Sequence, residues 1–330
     1  MSVRGGIIHT PNKFHFDVVS ETDAKAFWGD SPHASVFTNP TVLSRMGSPV
    51  DWWVARKGNE PICMWPVCRP DGTAVGLPGF CYYVGPMWSQ EGSETPAHRW
   101  LADSKSVYEG LIARLIDRYG AVHAELPLGL NDVRVFDWWN YHKPEKPRFS
   151  IRPRYTACIR GLQSLTDEGL QARFRELRRR ELRRVAKSIA PVRVADWTLE
   201  DLILLYSEVM RLQDVVVPSA TKDEIASLVS VVADGMGEVI AFRDSESGEL
   251  TSMVLLLQDK GIANMVLNLT ANRWRGSGIA AWTVYHAIQA AQARGADVFD
   301  FNGANSPDRG DDKHSYGAAP ELFFEVRYPG

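Results

Sequence analysis

A glycine-rich turn carries the residues whose types and spacing point most directly to chemistry. It follows a predicted strand, opens a predicted helix, and reads Arg273-Trp274-Arg275-Gly276-Ser277-Gly278. Because Gly276 and Gly278 have no Cβ, an anion can approach the backbone there, and the dipole and unpaired N–H groups of the helix N-terminus favour negative charge. Arg273 and Arg275 add positive charge beside it. The turn predicts a cradle for a pyrophosphate, or else a tight turn in which the glycines serve only the backbone.

The spacing of this turn separates it from two better-known phosphate loops. No Gly-Lys-Ser/Thr follows as in a P-loop, and the turn does not read Gly-x-Gly-x-x-Gly. The pattern is Arg-x-x-Gly-x-Gly, and it resembles the acyl-CoA pyrophosphate signature of the GNAT acyltransferase superfamily. There the motif joins the fourth strand to the third helix. The resemblance implies acyl-CoA binding by Arg273, Arg275, Gly276, Ser277 and Gly278.

Two C-terminal segments extend the resemblance. Residues 298–303 and 311–317 are similar to the "hydrophobic-Asp-Phe-x-Gly" and "Phe-Lys-x-x-Phe-Gly" ending of the FemAB-like branch of this superfamily. The arginine-rich run at 173–187 is similar to the helix that opens the second domain in that branch. The resemblance implies two GNAT-like domains fused in one chain. It is closer over residues 151–330 than over the first half, where it depends on the layout and on the segment 78–86.

The resemblance also implies how a donor is held and what is done with it. In the GNAT fold the strand before the cradle, here residues 265–269, splays from its neighbour, and its backbone holds the pantetheine arm and the thioester oxygen. Leu267 and Leu269 are therefore expected to bind the donor. The expected reaction is transfer of an acyl group from acetyl-CoA or another acyl-CoA to the amine of a small molecule or peptide.

Three side chains are candidates for catalysis. Tyr316 lies where the superfamily often places a tyrosine near the CoA sulfur, and its phenol could protonate the thiolate; alternatively it is a core aromatic. Lys313 matches the lysine of the branch, which is thought to stabilise negative charge at the reacting centre; alternatively it is a surface lysine in an acidic loop. Asp300 ends a strand that points to the cradle and could accept the amine proton, directly or through water, or could cap a turn.

The sequence departs from the Fem peptidyltransferases, which use aminoacyl-tRNA. It lacks the helical hairpin that serves some of them as a tRNA-binding arm, and its Arg-x-x-Gly-x-Gly is intact. Asp312 and Tyr316 replace the two phenylalanines of the lysine motif. These departures favour acyl-CoA as the donor. Two alternatives remain: an aminoacyl-tRNA-dependent transferase acting on a peptidoglycan precursor or natural product, and a non-catalytic module that binds CoA or a nucleotide.

The arginine-rich helix allows several interpretations. Between Gln171 and Lys187 it has eight basic and two acidic residues, and an apolar stripe is expected from Leu170, Phe174, Leu177 and Val185. Such a charge run is usually a solvated face. It could also contact the 3′-phosphate of CoA, an anionic acceptor or a tRNA stem.

The elements that must position these residues begin with a first half of mostly strands. Residues 51–55 and 61–68 are predicted to form a hairpin-like pair. Residues 104–119 place apolar side chains on one helical face, and Gly120 ends that helix. Residues 121–126 follow as a strand.

A proline-rich stretch marks the expected boundary between the halves. Residues 140–154 have no helical or strand period, and their three prolines block helix continuation and bias the preceding residues toward extended conformations. We therefore expect an N-terminal GNAT-like domain on the acceptor side at 1–150. A C-terminal GNAT domain that binds the donor is expected at 151–330.

The second half has a more regular pattern. Helices are expected first, then an antiparallel meander, and then a β–α–β unit with a right-handed crossover. The expected helices cover 166–188, 200–213, 222–234 and 279–294, and the expected strands cover 155–160, 238–243, 250–259, 262–270, 298–302 and 321–327. The resulting fold class is α/β, or α+β, with a mixed sheet.

Composition excludes several classes of protein. The chain has 330 residues, 45% of them apolar, and a net charge of −3, which opposes disorder and binding of polyanions by the whole chain. Four cysteines without zinc spacing predict buried thiols and no metal. No apolar run could cross a bilayer, and residues 1–6 lack the apolar core of a signal peptide. The expected location is the cytoplasm.

Overall fold

The computed structural model describes residues 13–70, 72, 74–90 and 96–329, with the strands of these ranges in two sheets. Residues 1–6, on which the expected absence of a signal peptide is based, lie outside these ranges. None of the helices in the described residues is long and apolar enough to cross a bilayer.

The first sheet is antiparallel and is formed entirely by the first half of the chain. Its four strands pair in chain order. They are β1 (His15–Val19), β2 (Val50–Lys57), β3 (Glu60–Cys68) and β4 (Met87–Trp88). β2 and β3 confirm the predicted hairpin, whose turn contains Gly58 at a φ of 60°.

The helices of the first half are more numerous than the sequence predicts. They are α1 (Glu21–Asp30), α2 (Pro40–Arg45), α3 (Ala97–Tyr119) and α4 (Arg134–Asp137). α3 confirms the predicted amphipathic helix, buries Val107, Leu111 and Leu115, and ends at Gly120 in the left-handed region as expected. α1 has a weak apolar period, burying only Ala24 and Phe27, which explains why periodicity does not reveal it.

The second sheet has eight strands in the order β5-β12-β6-β11-β10-β9-β8-β7. Their bounds are β5 (Val122–Glu125), β6 (Ser150–Arg160), β7 (Val192–Val194), β8 (Gly237–Arg243), β9 (Leu250–Asp259), β10 (Ile262–Thr270), β11 (Val298–Asp300) and β12 (Ala319–Tyr328). β10 and β11 are parallel, and the other neighbours are antiparallel. The predicted mixed sheet is confirmed.

One strand of this sheet comes from the first half. β5 pairs with the C-terminal part of β12, with Glu125 opposite Glu325. The eight-stranded sheet therefore crosses the expected boundary at residue 150. The division of the chain into 1–150 and 151–330 stays a prediction.

Helices cover both faces of the eight-stranded sheet. They are α5 (Asp167–Arg173), α6 (Glu176–Ser188), α7 (Leu199–Arg211), α8 (Ser219–Ala233), α9 (Ile279–Ala293) and α10 (Pro307–His314). Side chains of β8 and β9 alternate between a core shared with α9 and one shared with α7, α8 and the first half. This period of two is what a strand buried on both faces requires.

The predicted helix at 166–188 is wrong in one respect, since it breaks at Phe174. Phe174 has extended backbone angles, and its ring packs edge-on against Tyr285 and Tyr316. The next N–H, of Arg175, donates to the carbonyl of Ser315 at 2.8 Å instead of continuing the helix. Burial of this aromatic side chain favours the break over a continuous helix.

Candidate active site

Strands β10 and β11 separate where the site forms. They pair through only three residue pairs, the last being Asn264 with Asp300. β10 then continues along β9 to Thr270 with a register shift between Met265 and Leu267, while β11 ends. A bulge of this kind bends a strand and interrupts its ladder. The divergence that the resemblance implies for this strand is present, and the edge of β10 faces a gap there.

A cavity of about 380 Å³ lies in this gap. Its walls come from both halves of the chain. The lining residues include Phe80, Tyr82, Tyr206, the β10 residues 265–269, Asn302 and Lys313. Leu267, Leu269 and Lys313 are the sequence-predicted site residues that it brings together.

The glycine-rich turn follows β10 directly and opens α9. Gly276 and Gly278 both have positive φ values, 76° and 97°, and α9 starts at Ile279. The N–H of Ile279 donates to Ser277 Oγ at 3.2 Å. Arg184 of α6 donates to the carbonyl oxygens of Gly276 and Ser277 at 3.2 and 2.7 Å. The turn is thus fixed by the chain itself at the N-terminus of a 15-residue helix.

The two glycines of the turn have different surroundings. A Cβ on Gly278 would lie 3.1 Å from side-chain atoms of Glu181 and Val185 on α6, so a larger residue there would have to displace them slightly. A Cβ on Gly276 would meet nothing within 4 Å. The open side of the turn is therefore at Gly276, where a ligand can approach.

The two arginines of the turn are exposed. Arg273 pairs with Glu249 and lies over the ring of Trp274, 5.6 Å from its centroid. Arg275 is exposed at the end of a short 3₁₀ turn, Asn272–Trp274. Both precede the N-terminus of α9 in the chain, and the charge of Arg273 is offset by Glu249.

Asp300 lies in the protein interior beside the cavity, not among the described residues that line it. Its carboxylate accepts hydrogen bonds from Tyr83 Oη at 2.7 Å, from Thr156 Oγ1, and from the N–H of Asn302 at 2.8 Å. Burial raises the pKa of the Asp300 carboxyl, against the lowering effect of these hydrogen bonds. The carboxyl thus links β11 to β6 and to the first half of the chain.

Tyr316 is a fully buried side chain, with 1% of its surface exposed, and it too is absent from the described lining of the cavity. Its ring stacks on Phe301 with centroids 5.7 Å apart and meets Phe174 edge-on at 5.4 Å. The guanidinium of Arg178 covers it at 5.1 Å. Burial raises the pKa of the Tyr316 phenol, so the phenol stays protonated at neutral pH.

Lys313 on α10 holds the turn that follows β11. Its Nζ donates to the carbonyl oxygens of Phe301 at 2.9 Å, Asn302 at 2.6 Å, and Gly303. An ammonium group has three protons to donate. These contacts fix three successive carbonyls at the edge of the cavity and place a positive charge there.

Sequence reasoning misses Asn302, the unspecified position of the Asp-Phe-x-Gly motif. The residue lines the cavity, is 6% exposed, and has a left-handed backbone with φ 47°. Its Nδ2 and Oδ1 are buried and have no hydrogen-bond partner among the described residues. An asparagine tolerates this backbone region better than most residues, and that was the available signal.

The particular residues by which the first half reaches the cavity are missed as well. Segment 78–86 brings Phe80 and Tyr82 to the cavity wall, and Phe80 packs edge-on against Tyr206 with centroids 5.9 Å apart. Phe80 and Tyr83 have φ values of 59° and 56°, unusual for bulky side chains. Positive φ at non-glycine residues is not visible in a sequence.

Part of the positive charge of α6 is paired with carboxylates of the same chain. Arg178 pairs with Glu181 at 2.7 Å and also with Asp312. Glu176 pairs with three arginines, Arg179, Arg180 and Arg183. The face is nevertheless solvated, since Arg180 and Arg183 remain 73% and 62% exposed.

The described residues contain no group of three or more histidine, cysteine, aspartate or glutamate side chains placed to bind a metal ion. All four cysteines are buried free thiols, as the sequence predicts.

A family model of known proteins matches most of the second half of the chain. Residues 172–313 match the family model of the acetyltransferase (GNAT) domain. No curated protein matches the chain significantly.

Solved structures match the chain over nearly its whole length. FemX covers 94% of this chain and 96% of its own at 12% identity, with a TM-score of 0.65. L-PGS from Bacillus licheniformis covers 94% and 92% at 12% identity, with a TM-score of 0.55. A tandem GNAT protein from the clavulanic acid biosynthesis pathway covers 96% and 99% at 11% identity, with a TM-score of 0.50. At such identities the likeness shows the fold, two GNAT-like units in one chain.

Proposed function

We propose that this chain, which belongs to the FemAB-like branch of the GNAT superfamily, is an N-acyltransferase that moves an acyl group from an acyl-CoA to an amine. The observation that carries the proposal is the continuity of β10. The strand leaves its neighbour at a bulge, passes along a cavity, and ends in a glycine turn at the N-terminus of α9. A long donor with an anionic end and a reactive end fits such a path.

The donor follows this path in three parts. Its pyrophosphate binds at Gly276, Ser277 and Gly278, where the first N–H groups of α9 and the helix dipole favour negative charge. Arg273 and Arg275 add charge at the same end. The pantetheine arm lies along the open edge of β10 at Leu267 and Leu269. The acyl group then reaches the cavity.

Acyl transfer needs a neutral amine, a donor for the developing oxyanion and a proton for the leaving thiolate. Backbone N–H groups at the bulge of β10 supply the oxyanion donor. Lys313 adds a positive charge at the cavity edge and holds the 301–303 turn. Tyr316 and Asp300 are buried behind the cavity wall, so Tyr316 reaches the thiolate, and Asp300 the amine, only through an intervening group or water.

The acceptor comes from the side of the first half. Phe80 and Tyr82 form that wall, which supports the assignment of residues 1–150 to the acceptor and 151–330 to the donor. A small-molecule or peptide amine fits a cavity of about 380 Å³ that opens between them.

Aminoacyl-tRNA is the second candidate donor. The fold likeness to FemX over both chains favours it, and so do the exposed arginines of α6. Glu176 pairs with three of these arginines and offsets one of their three positive charges, which reduces the attraction for a phosphate backbone without removing it.

Thermal stabilisation separates the donors. CoA and acetyl-CoA are compared with bulk tRNA at low and physiological salt. A ligand at one hundred times its Kd adds about 2.7 kcal/mol, a shift of a few degrees. The proposal expects a shift with CoA that persists in salt and is weakened in Arg273→Ala and Gly276→Ala.

Arg180→Ala is the matched control, since it removes an exposed arginine of α6 and should leave the CoA shift intact. A shift with tRNA alone, vanishing as salt rises, would replace acyl-CoA by aminoacyl-tRNA as the donor.

A further inference from the structure

We propose that Asn302 is a catalytic residue whose carboxamide binds the two groups that react. Its Nδ2 donates to the acyl carbonyl oxygen as that oxygen becomes negative, and its Oδ1 accepts an N–H of the attacking amine. The proposal rests on the proposed acyl transfer to an amine. It does not depend on which donor carries the acyl group.

The first support is that the carboxamide is both buried and unused. Asn302 is 6% exposed and lines the cavity, and neither Nδ2 nor Oδ1 has a hydrogen-bond partner among the described residues. Buried polar side-chain atoms are nearly always paired, so an amide with neither side satisfied calls for an explanation. A ligand in the cavity supplies one, because the amide contributes a donor and an acceptor there.

The second support is that the backbone of Asn302 is already held by other groups. Its N–H donates to Asp300 at 2.8 Å, and its carbonyl accepts from Lys313 Nζ at 2.6 Å. Asp300 is fixed in turn by Tyr83 and Thr156. The side-chain amide is therefore not needed to keep the turn in place.

The third support is position. Asn264 on β10 pairs with Asp300 on β11, and the strands diverge immediately afterwards. On one side of the gap, Asn302 lies two residues after Asp300. On the other side, Val266 at the bulge lies two residues after Asn264. Both line the cavity. Asn302 thus faces the place where backbone N–H groups of β10 are expected to bind the oxyanion.

The chemistry of a carboxamide suits the intermediate. When the amine nitrogen attacks, a C–N bond forms and the carbonyl π pair moves to oxygen, so one carbon bears O⁻ and N⁺–H. In Asn302 one carbon likewise bears Oδ1 and Nδ2, which lets the two groups pair side by side. Collapse breaks the bond to the leaving group, and the ammonium proton ends on the leaving thiolate or alkoxide. Asn302 neither gains nor loses a proton.

Two substitutions isolate the amide from the backbone. Asn302→Gly removes it and suits a positive φ, so the turn remains. Asn302→Asp keeps the shape and the acceptor but replaces the donor by a charge that repels an oxyanion. Asn140→Gly is the matched control, since Asn140 also has a positive φ, 58°, in the 140–154 stretch, and its amide donates to Pro147.

Steady-state kinetics are measured with acetyl-CoA or aminoacyl-tRNA, whichever the wild-type chain turns over with an amine panel, together with thermal unfolding. We expect Asn302→Gly to lower kcat about 10²-fold with little change in donor KM, as loss of one oxyanion donor does. Asn302→Asp should be at least as slow. The melting temperature of Asn302→Gly should rise, because an unpaired buried group is removed, while Asn140→Gly should keep full activity.

Three outcomes overturn the proposal in different ways. Unchanged kcat in Asn302→Gly would show that the amide contacts no reacting group. A lower melting temperature with a proportionate loss of active protein would make Asn302 a structural residue. Absence of turnover by the wild-type chain with either donor would overturn the proposed function itself, and this inference with it.

Discussion

The two ends of β10 differ in how far the folded chain satisfies its own polar groups. At the cradle, Ser277 accepts the first N–H of α9, and Arg184 covers two carbonyls of the turn. At the cavity, the carboxamide of Asn302 has no partner among the described residues, and Phe80 holds a positive φ that a bulky residue seldom adopts. The chain thus fixes the cradle turn through its own hydrogen bonds, whereas the cavity keeps an unpaired carboxamide and backbone strain.

This difference teaches where specificity lies. Strain and unpaired groups persist only where the surrounding structure holds them in place. Here the surrounding structure is the network of Asp300, Tyr83 and Thr156, which joins the two halves of the chain. We therefore expect the residues that select this chain's substrate to lie at the cavity end of β10.

Breaking that network should give the largest effect on stability. Asp300→Ala removes the acceptor of two buried hydroxyl groups and the N–H of Asn302. Each buried donor left unpaired costs about 1–3 kcal/mol, so we expect the free energy of unfolding to fall by about 3–5 kcal/mol. Urea unfolding measures this loss.

Asp300→Asn serves as the control for shape. It keeps one acceptor oxygen in the same volume, so its loss should be clearly smaller than that of the alanine variant. If the free energies of unfolding of both variants lie within about 0.5 kcal/mol of wild type, the range of ordinary surface substitutions, the carboxyl does not hold the two halves together.

A pH dependence of stability should follow from Glu125 on β5, whose carboxylate accepts the N–H of Tyr83 at 3.3 Å. Burial raises the pKa of Glu125 from 4.5 to about 7. Between these values the folded chain keeps a proton that the unfolded chain has lost. Stability should therefore fall as pH rises from about 4.5 to about 7, by up to about 3 kcal/mol, and then level off.

Urea titrations at several pH values test this, with Glu125→Gln as the matched variant. The glutamine is neutral at all pH values, so the fall over this interval should be smaller by the same amount. An equal pH dependence in both chains would assign the effect to another group.

Sequence and structure agree where the signal is local. The turn around Gly276, the helix that ends at Gly120 and the β2–β3 hairpin are each set by a few neighbouring residues, and all three form as predicted. The divergence of β10 follows from the resemblance, not from periodicity.

The sequence does not predict features that depend on contacts between distant segments. The amide of Asn302, the aromatic wall at Phe80 and the break at Phe174 depend on tertiary contacts that no local pattern encodes. Lys313 was predicted from a motif as a charge at the site. Its contacts with three carbonyl oxygens, by which it also holds the 301–303 turn, are visible only in the structure.

The smallest expected effect is a difference in stability between alanine variants of the two cradle glycines. A sequence motif treats these two glycines as equivalent. Alanine at either position must adopt a left-handed backbone, at about 1–2 kcal/mol. Gly278→Ala also forces its Cβ to 3.1 Å from Glu181 and Val185, whereas Gly276→Ala meets open space. We expect Gly278→Ala to be less stable than Gly276→Ala by about 1 kcal/mol, the cost of mild overpacking.

The order of the two variants in CoA affinity should be the reverse of their order in stability. The open side of Gly276 is where the anion approaches, so Gly276→Ala should lose more affinity for CoA than its small change in stability explains. Calorimetric titration of both folded variants with CoA measures this. If Gly276→Ala binds CoA as wild type does, the open side is not the ligand side, and the turn is a packing device for α6 and α9 alone.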